Sequence, residues 1–234
     1  MMYLKHQLLL TIGVAALVVA PAVQATPALC PASASLQDYL NMSGGCTIED
    51  KIFSDFSYSS SALGGATAIV ASGITVDTII TPNDPGLQFG ANWAASSGQV
   101  SDSSIGFTVT VIGGAALIED ASIVQLGGTV VGTGTASVGE GICVGFNCQN
   151  TTFTLSTLNT TDRTLIQLGD HVIFSSTGQV RATKDIGVAG NSSGFASVSL
   201  MADQFSETVP EPSSLVLLGS GLLGILGMRR KLFR

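Results

Sequence analysis

Short runs of strand-forming residues, separated by glycine-rich or proline-rich turns, are the feature that most limits how this chain can fold. The runs recur at roughly the 8–12-residue spacing that is typical of β-sandwiches and barrels. The clearest of them are 53–58, 74–79, 107–111, 116–126, 151–158, 165–168, 171–175 and 195–200. We therefore predict an all-β fold, an antiparallel and jelly-roll-like β-sandwich of about ten strands, over residues 46–205.

A pore-forming membrane barrel is the nearest alternative fold. Its strands are expected to be longer and to carry girdles of aromatic residues. Only 6% of this chain is aromatic, and a separate apolar segment follows the strands. The pattern therefore favours a sandwich, with residues 26–208 as the ectodomain.

One short helix is predicted near the start of the ectodomain. Ser35 can cap it, because Asp38 follows three residues later in a capping-box pattern. Leu36 and Tyr39 would share one face, and the glycine pair at 44–45 would end the helix.

Residues 1–25 have the three parts of a secretory signal peptide. Lys5 gives a positively charged start, residues 8–22 form an apolar core, and Val23-Gln24-Ala25 is a small-x-small site. We therefore predict export, with cleavage after Ala25. The alternative is an uncleaved N-terminal anchor.

Residues 209–234 form a second apolar segment with polar boundaries. The uncharged stretch 213–228 lies between Pro210-Glu211-Pro212 and the basic cluster Arg229-Arg230-Lys231. As a helix it would span about 24 Å, somewhat less than the hydrocarbon core of a bilayer. Because basic flanks stay in the cytoplasm, we predict a single C-terminal transmembrane helix with the ectodomain outside.

This arrangement resembles the PEP-CTERM sorting signal of Gram-negative bacteria, in which Pro210-Glu211-Pro212, an apolar helix and Arg229-Arg230 occur in the same order. The resemblance implies that an exosortase, a membrane cysteine protease, recognises the motif and cuts near it. The tail would then be a transient anchor in the bacterial inner membrane. It also implies a final place on the cell surface or in the extracellular matrix, in a biofilm or exopolysaccharide context. The alternative is a permanent single-pass anchor.

The chain has four cysteines, Cys30, Cys46, Cys143 and Cys148. An even number in an exported chain favours disulfides over metal ligation. Of the three possible pairings we favour Cys30–Cys46, which closes the N-terminal segment, and Cys143–Cys148, which closes a short loop. A zinc site is disfavoured, because Cys30 and Cys46 are too far apart for the short pairs that such sites use.

The charge distribution argues against nucleic acid as a partner. Residues 26–209 hold fifteen of the sixteen acidic residues but only four of the nine basic ones. An acidic body repels phosphate backbones and lacks the basic patch that nucleic-acid binding requires.

Catalytic motifs are weak, and we predict no catalytic residues. His171 is the only histidine outside the leader, and the G-x-S-x-G match at 190–194 lacks the strand-turn-helix context of a nucleophile elbow. The adjacent acids at 49–50 and 119–120 would point to opposite faces of a strand. A glycoside hydrolase or lyase is the alternative, since carboxylates from different strands can still meet.

No metal site is predicted, and calcium is the one cofactor left open. Asn83-Asp84, Asp102 and Glu119-Asp120 offer the oxygen ligands that calcium prefers, near turns. Trp93 could present its ring to a sugar, but as the only tryptophan it is expected in the core.

The sequence thus predicts an exported surface or matrix protein, sorted by an exosortase, with a structural or adhesive role among exopolysaccharides. The alternatives are a secreted glycan-active enzyme and a calcium-dependent carbohydrate-binding module on the same sandwich.

Overall fold

Extended strands dominate the computed structural model, which describes residues 27–113, 116–145, 152–161 and 166–208. Sheet A has the order β2-β3-β6-β11-β8-β9, with bounds Cys46–Ile48, Lys51–Leu63, Val100–Val111, Gln179–Ala189, Thr135–Val144 and Thr152–Thr160. Sheet B has the order β1-β4-β5-β12-β7-β10, with bounds Ser33–Ser35, Thr75–Ile79, Gly86–Ala95, Phe195–Gln204, Leu117–Val131 and Gly169–Thr177. A short β13, Glu207–Thr208, also pairs with β7. Both sheets are antiparallel, which confirms the predicted all-β class.

Strands β5 to β12 are divided between the two sheets in the order of a jelly roll. Four of them form β5-β12-β7-β10 in sheet B, and the other four form β6-β11-β8-β9 in sheet A. This interleaving is that of two Greek keys packed as a sandwich. As a result β11 and β12, which follow each other along the chain, lie inside opposite sheets rather than at their edges.

The predicted helix is present and short. Helix α1 covers Leu36–Leu40, and Ser35 and Asp38 form the predicted capping box. Leu36 and Tyr39 are buried, so the helix closes one end of the sandwich. Gly45 takes a positive φ and lies against the backbone of β3, where a Cβ atom would collide with a carbonyl oxygen.

Aromatic rings from both sheets fill the centre of the sandwich. Phe107 of β6 lies 6.0 Å from Phe89 of β5 and 5.9 Å from Phe205, measured between ring centroids. Trp93 is fully buried, and its Nε1 donates a hydrogen bond of 3.0 Å to Ser103 Oγ. This confirms the expectation that Trp93 belongs to the core.

The strand prediction was incomplete in three places. Strands β5, β8 and β11 were not among the predicted runs, because glycines and charged residues interrupt their apolar alternation. The predicted run 165–168 is not a strand where the structure describes it; Gln167 makes only an isolated bridge to Leu158. Within the described part of 46–205 there are eleven strands, β2 to β12, which agrees with the predicted number of about ten; β1 and β13 lie outside that range.

In the part of the chain that the structure describes, no helix is long and apolar enough to cross a membrane. The predicted transmembrane helix at 213–228 lies outside that part.

Candidate functional site

Three charged side chains meet between the two sheets; we call Glu140, Lys184 and Asp203 the buried ionic cluster. Glu140 on β8 and Lys184 on β11 are directly opposite each other in sheet A. Both occupy positions of the inward-facing, otherwise apolar alternation of their strands. Asp203 reaches them from β12 in sheet B, because an irregularity between Val198 and Leu200 changes which residues of that strand face inward.

The cluster is closed to solvent. The side chains of Lys184 and Asp203 are 0% exposed, and that of Glu140 is 1% exposed. Lys184 Nζ donates a hydrogen bond of 2.5 Å to Glu140 Oε1. It also forms an ion pair with Asp203 Oδ2.

The hydrogen bonding of the two carboxyl groups is incomplete. Among the described residues, neither oxygen of Asp203 accepts a hydrogen bond, and Glu140 Oε2 has no partner. The ion pair with Asp203 is therefore a contact without hydrogen-bond geometry. Buried carboxylates in native proteins are almost always hydrogen-bonded, so this cluster calls for a chemical explanation.

Phenylalanine rings surround the ammonium group on its remaining side. Lys184 Nζ lies 4.8 Å from the ring centroid of Phe107 and 5.7 Å from that of Phe89. A cation over a ring face at these distances is attracted by the ring quadrupole. The rings also exclude water, which strengthens every electrostatic interaction inside the cluster.

Proton affinities within the cluster are strongly displaced. Burial and the neighbouring Glu140 carboxylate raise the pKa of Asp203 to about 8, although Lys184 opposes the change. Burial also raises the pKa of Glu140 against the opposing effect of Lys184. For Lys184, burial lowers the pKa, but Asp203 and Glu140 outweigh it and raise the pKa overall. The three groups therefore share protons, with Asp203 protonated near neutral pH.

A second lysine is buried where the ectodomain ends. Lys51 of β3 is 0% exposed, and its Nζ donates hydrogen bonds of 2.6 Å to Glu207 Oε2 and 3.0 Å to Asp50 Oδ1. Glu207 belongs to β13, so Lys51 of sheet A holds the last strand against the body.

The segment that follows β13 matches a known motif. Comparison with known protein families matches residues 208–231 to the PEP-CTERM protein-sorting motif. The chain carries a PEP-CTERM sorting signal. A PEP-CTERM signal marks an exported protein that is attached to the membrane for processing by an exosortase. Thr208 is both the last residue of β13 and the first of the PEP-CTERM match.

Two solved structures resemble parts of the fold. One is "TmCBM61 in complex with beta-1,4-galactotriose", with a TM-score of 0.31 and 10% identity, covering 62% of this chain and 86% of that one. The other is the enzymatically active domain of bacteriophage CBA120 tailspike protein 4, with a TM-score of 0.25 and 15% identity, covering 63% and 19%. A search of curated proteins found no match. Similarity at this level adds nothing to the functional argument.

Most residues of the PEP-CTERM signal lie outside the described part of the chain. They are Pro210, Glu211 and Pro212 of the motif and Arg229, Arg230 and Lys231 of the basic end, and the predicted cleavage residue Ala25 lies outside as well. Their predicted roles therefore remain predictions.

Of the cysteines, Cys30 and Cys46 form a disulfide, with Cα atoms 4.7 Å apart. It joins the first described segment to β2, where Cys46 lies opposite Phe53 of β3 and Ile48 lies opposite Lys51. Cys143 is buried near the end of β8, and Cys148 lies outside the described residues, so the second pairing stays a prediction.

The acids considered for calcium lie in separate places. Asp102 on sheet A is beside Asp185, and burial together with that carboxyl raises its pKa. Near sheet B, burial and the Asp120 carboxylate raise the pKa of Asp84, and burial raises the pKa of Asp120 against the opposing effect of His171. No group of three or more potential metal ligands occurs among the described residues.

An open cavity of about 360 Å³ lies beside β5 and the loop after β3. Its lining is small or polar and contains no titratable side chain: Gly65, Ala66, Thr67, Ile69, Asn92, Ala94, Ala95, Ser96 and Gln99. The cavity therefore offers hydrogen bonds but no acid or base.

The buried ionic cluster was not predicted from the sequence. Lys184 and Glu140 lie on strands that were not predicted, and Asp203 follows the irregularity in β12. A usable signal exists: Lys184 takes the place of an apolar residue in the alternation Val180, Ala182, Ile186, Val188.

Proposed function

We propose that this protein is an exosortase substrate that ends up on the bacterial cell surface or in the extracellular matrix, with a structural or adhesive role among exopolysaccharides. The observation that carries the proposal is the PEP-CTERM match at residues 208–231, which begins where the sandwich ends. In this proposal the C-terminal helix holds the protein in the inner membrane until the exosortase removes it. The sandwich is the part that remains.

We propose that the ectodomain binds or packs rather than catalyses. Glycosidase chemistry uses two carboxyl groups about 5–9 Å apart that flank one bond in an accessible cleft. Asp102 and Asp185 lie side by side on the neighbouring strands β6 and β11, and neither lines the cavity beside β5. The side chains of the buried ionic cluster are at most 1% exposed, so a substrate cannot reach them.

Sorting is tested by the intact mass of the protein recovered from the envelope and the medium of a host that has an exosortase. We expect the wild type to begin at Thr26 and to end near Pro210–Pro212. Glu211→Gln should keep the complete tail and remain in the inner membrane. Glu49→Gln is the matched control, because Glu49 is exposed and lies outside the motif, and it should be processed like the wild type.

A complete tail on every wild-type molecule would overturn the sorting proposal and leave a permanently anchored protein. The ectodomain's role needs a separate assay with the host's purified exopolysaccharide. We expect the protein to sediment with the polymer without releasing new reducing ends or unsaturated products. Release of such products would instead support a glycan-active enzyme, and binding that is lost with a calcium chelator would support the calcium-dependent module.

A further inference from the structure

The buried ionic cluster contains every group needed to make an amide bond. Lys184 supplies an amine nitrogen, and Asp203 supplies a carboxyl group whose Oδ2 contacts that nitrogen. Glu140 accepts a hydrogen bond of 2.5 Å from the same nitrogen and can carry its protons. Three strands hold these groups, so they meet only when the sandwich has closed.

We propose that Lys184 and Asp203 become joined by an intramolecular amide cross-link between β11 and β12, with Glu140 as the proton carrier of the reaction. The cross-link would be a self-catalysed modification of the folded chain. It needs no oxidant, reductant or cofactor, because amide formation from an amine and a carboxyl group releases only water.

The reaction begins with the Asp203 carboxyl protonated, Lys184 as an ammonium and Glu140 as a carboxylate. Glu140 takes one proton from Nζ, and the free amine attacks Cγ of Asp203 to form the C–N bond. Glu140 then passes its proton to the departing hydroxyl as the C–O bond breaks, and it takes the second surplus proton from the nitrogen. The four protons end as one on the amide nitrogen, two on the released water and one on Glu140.

The surroundings favour the product over the separate charges. An ammonium and a carboxylate lose their hydration when they are buried, and that loss is large unless hydrogen bonds replace it. Within the described part of the chain, Glu140 Oε2 and both Asp203 oxygens have no hydrogen-bond partner. The cross-link converts the cluster into a neutral amide and a neutral Glu140 carboxyl, and the released water leaves for bulk solvent.

The proximity of Lys184 Nζ to the Asp203 carboxyl group accelerates formation of the amide. Groups held in reacting geometry behave as if present at about 10⁵–10⁸ M, which is the usual range for well-oriented intramolecular reactions. The raised pKa of Asp203 keeps its carboxyl protonated, which makes its carbon more electrophilic. The raised pKa of Glu140 fits a group that must accept a proton and keep it.

The position of the cross-link suits an exported protein. Asp203 lies on β12, the last long strand before the PEP-CTERM match begins at residue 208. Load applied at the C-terminal end of the ectodomain reaches the short β13 first and β12 next. A bond from β12 to β11 ties it to the opposite sheet and resists its removal.

The test is a peptide map of the full-length chain, exported in a Gram-negative host, extracted from membranes in detergent, denatured, reduced and alkylated. Trypsin with chymotrypsin should yield one branched species, in which 182–195 is joined to 202–205. Its mass should be one water below the sum of the two peptides. Fragment spectra should place the link between Lys184 and Asp203, which distinguishes it from a cyclic imide formed at Asp203 alone.

Two glutamate variants separate the chemistry from general effects of substitution. Glu140→Gln cannot carry the proton, so the branched species should fall at least tenfold and trypsin should again cut after Lys184. Glu207→Gln alters the partner of the other buried lysine, Lys51, and should leave the branched species at the wild-type level.

The wild-type map decides the question even if a variant fails to fold. Separate, unlinked peptides from correctly folded wild-type protein would overturn the proposal and leave the cluster as an ion pair. A branched species of undiminished yield in Glu140→Gln would overturn the role given to Glu140.

Discussion

The two buried lysines of sheet A show how strongly the surroundings of a charge determine what it can do. Lys51 and Lys184 are both 0% exposed, and each contacts two carboxyl groups. The partners of Lys51 reach water, because Asp50 is 37% exposed and Glu207 is 7% exposed. The partners of Lys184 do not, at 1% for Glu140 and 0% for Asp203.

This difference in exposure gives the two lysines different roles. We call Lys51 with Asp50 and Glu207 the ionic clamp. Around Lys51, water can solvate one carboxylate, and a disulfide at Cys30–Cys46 supplies the covalent tie nearby. Lys184 and both of its partners are at most 1% exposed, so the three groups are stabilised by sharing protons instead of by hydration. Our account therefore assigns Lys51 to holding the exit strand β13 and Lys184 to cross-linking the sheets.

Replacing each lysine in turn should give the largest difference between the two sites in the free energy of unfolding. Lys184→Met leaves two buried carboxyl groups without a cation and removes the cross-link, so we expect the free energy of unfolding to fall by about 3–5 kcal/mol. Lys51→Met leaves carboxylates that water can reach, and about 2 kcal/mol is expected. Denaturant unfolding of both variants measures the contrast. Equal losses would contradict the distinction between the two sites.

Removing the disulfide tests the covalent tie on the Lys51 side. Its cysteines are 16 residues apart, and opening a loop of that size costs about 3 kcal/mol. The double variant Cys30→Ser, Cys46→Ser should therefore unfold earlier in denaturant. It should still show the branched Lys184–Asp203 peptide; loss of that peptide would mean that the two regions do not fold independently.

Weakening the ionic clamp should loosen only the end of the ectodomain. Glu207→Gln keeps a hydrogen-bond acceptor for Lys51 but removes the charge, at an expected cost of about 1 kcal/mol. Hydrogen exchange of the β13 amides should accelerate, while exchange in β11 stays unchanged. Glu49→Gln, at an exposed position, serves as the control and should alter neither.

The smallest change in the free energy of unfolding is expected at the carboxyl pair Asp102 and Asp185 of sheet A. Burial and Asp185 raise the pKa of Asp102, so the folded state binds a proton more tightly than the unfolded state there. Stability is therefore lost as the pH rises through the pKa of Asp102 in the folded protein. Asp185→Asn removes the repulsion and should stabilise by about 0.5 kcal/mol at pH 7, with the gain vanishing in acid. Thermal melts against pH, with Asp55→Asn as control, check this; a gain that persists in acid would refute it.

Much of the fold could be predicted because alternation survives in its apolar strands. Phe107 and Val109 of β6 face the core in the alternating pattern that the sequence shows. The capping box of α1 needs only Ser35 and Asp38 at the right spacing. The sorting signal was predicted from its resemblance to PEP-CTERM signals, because the proline motif, apolar segment and basic end follow one another in the same order.

The buried ionic cluster could not be predicted in the same way, for a physical reason. A strand is recognised by its alternation of apolar and polar residues, and a charged residue counts as polar. Because Lys184 and Glu140 stand at inward-facing positions, β11 and β8 did not show the expected alternation. Asp203 faces inward only because of the irregularity between Val198 and Leu200, which depends on pairing with neighbouring strands. Which residues of β12 face inward is therefore determined by contacts between strands that are distant in sequence, and not by a local sequence pattern.

The most direct test of the comparison is acylation of lysine amines in the fully denatured, reduced wild-type protein. Denaturation exposes both side chains, so burial no longer protects either one. Our account predicts that Lys51 is acylated completely while Lys184 remains unmodified, because its nitrogen is already part of an amide. Acylation of Lys184 to the same extent as Lys51 would contradict the account and show that both lysines remain ionic.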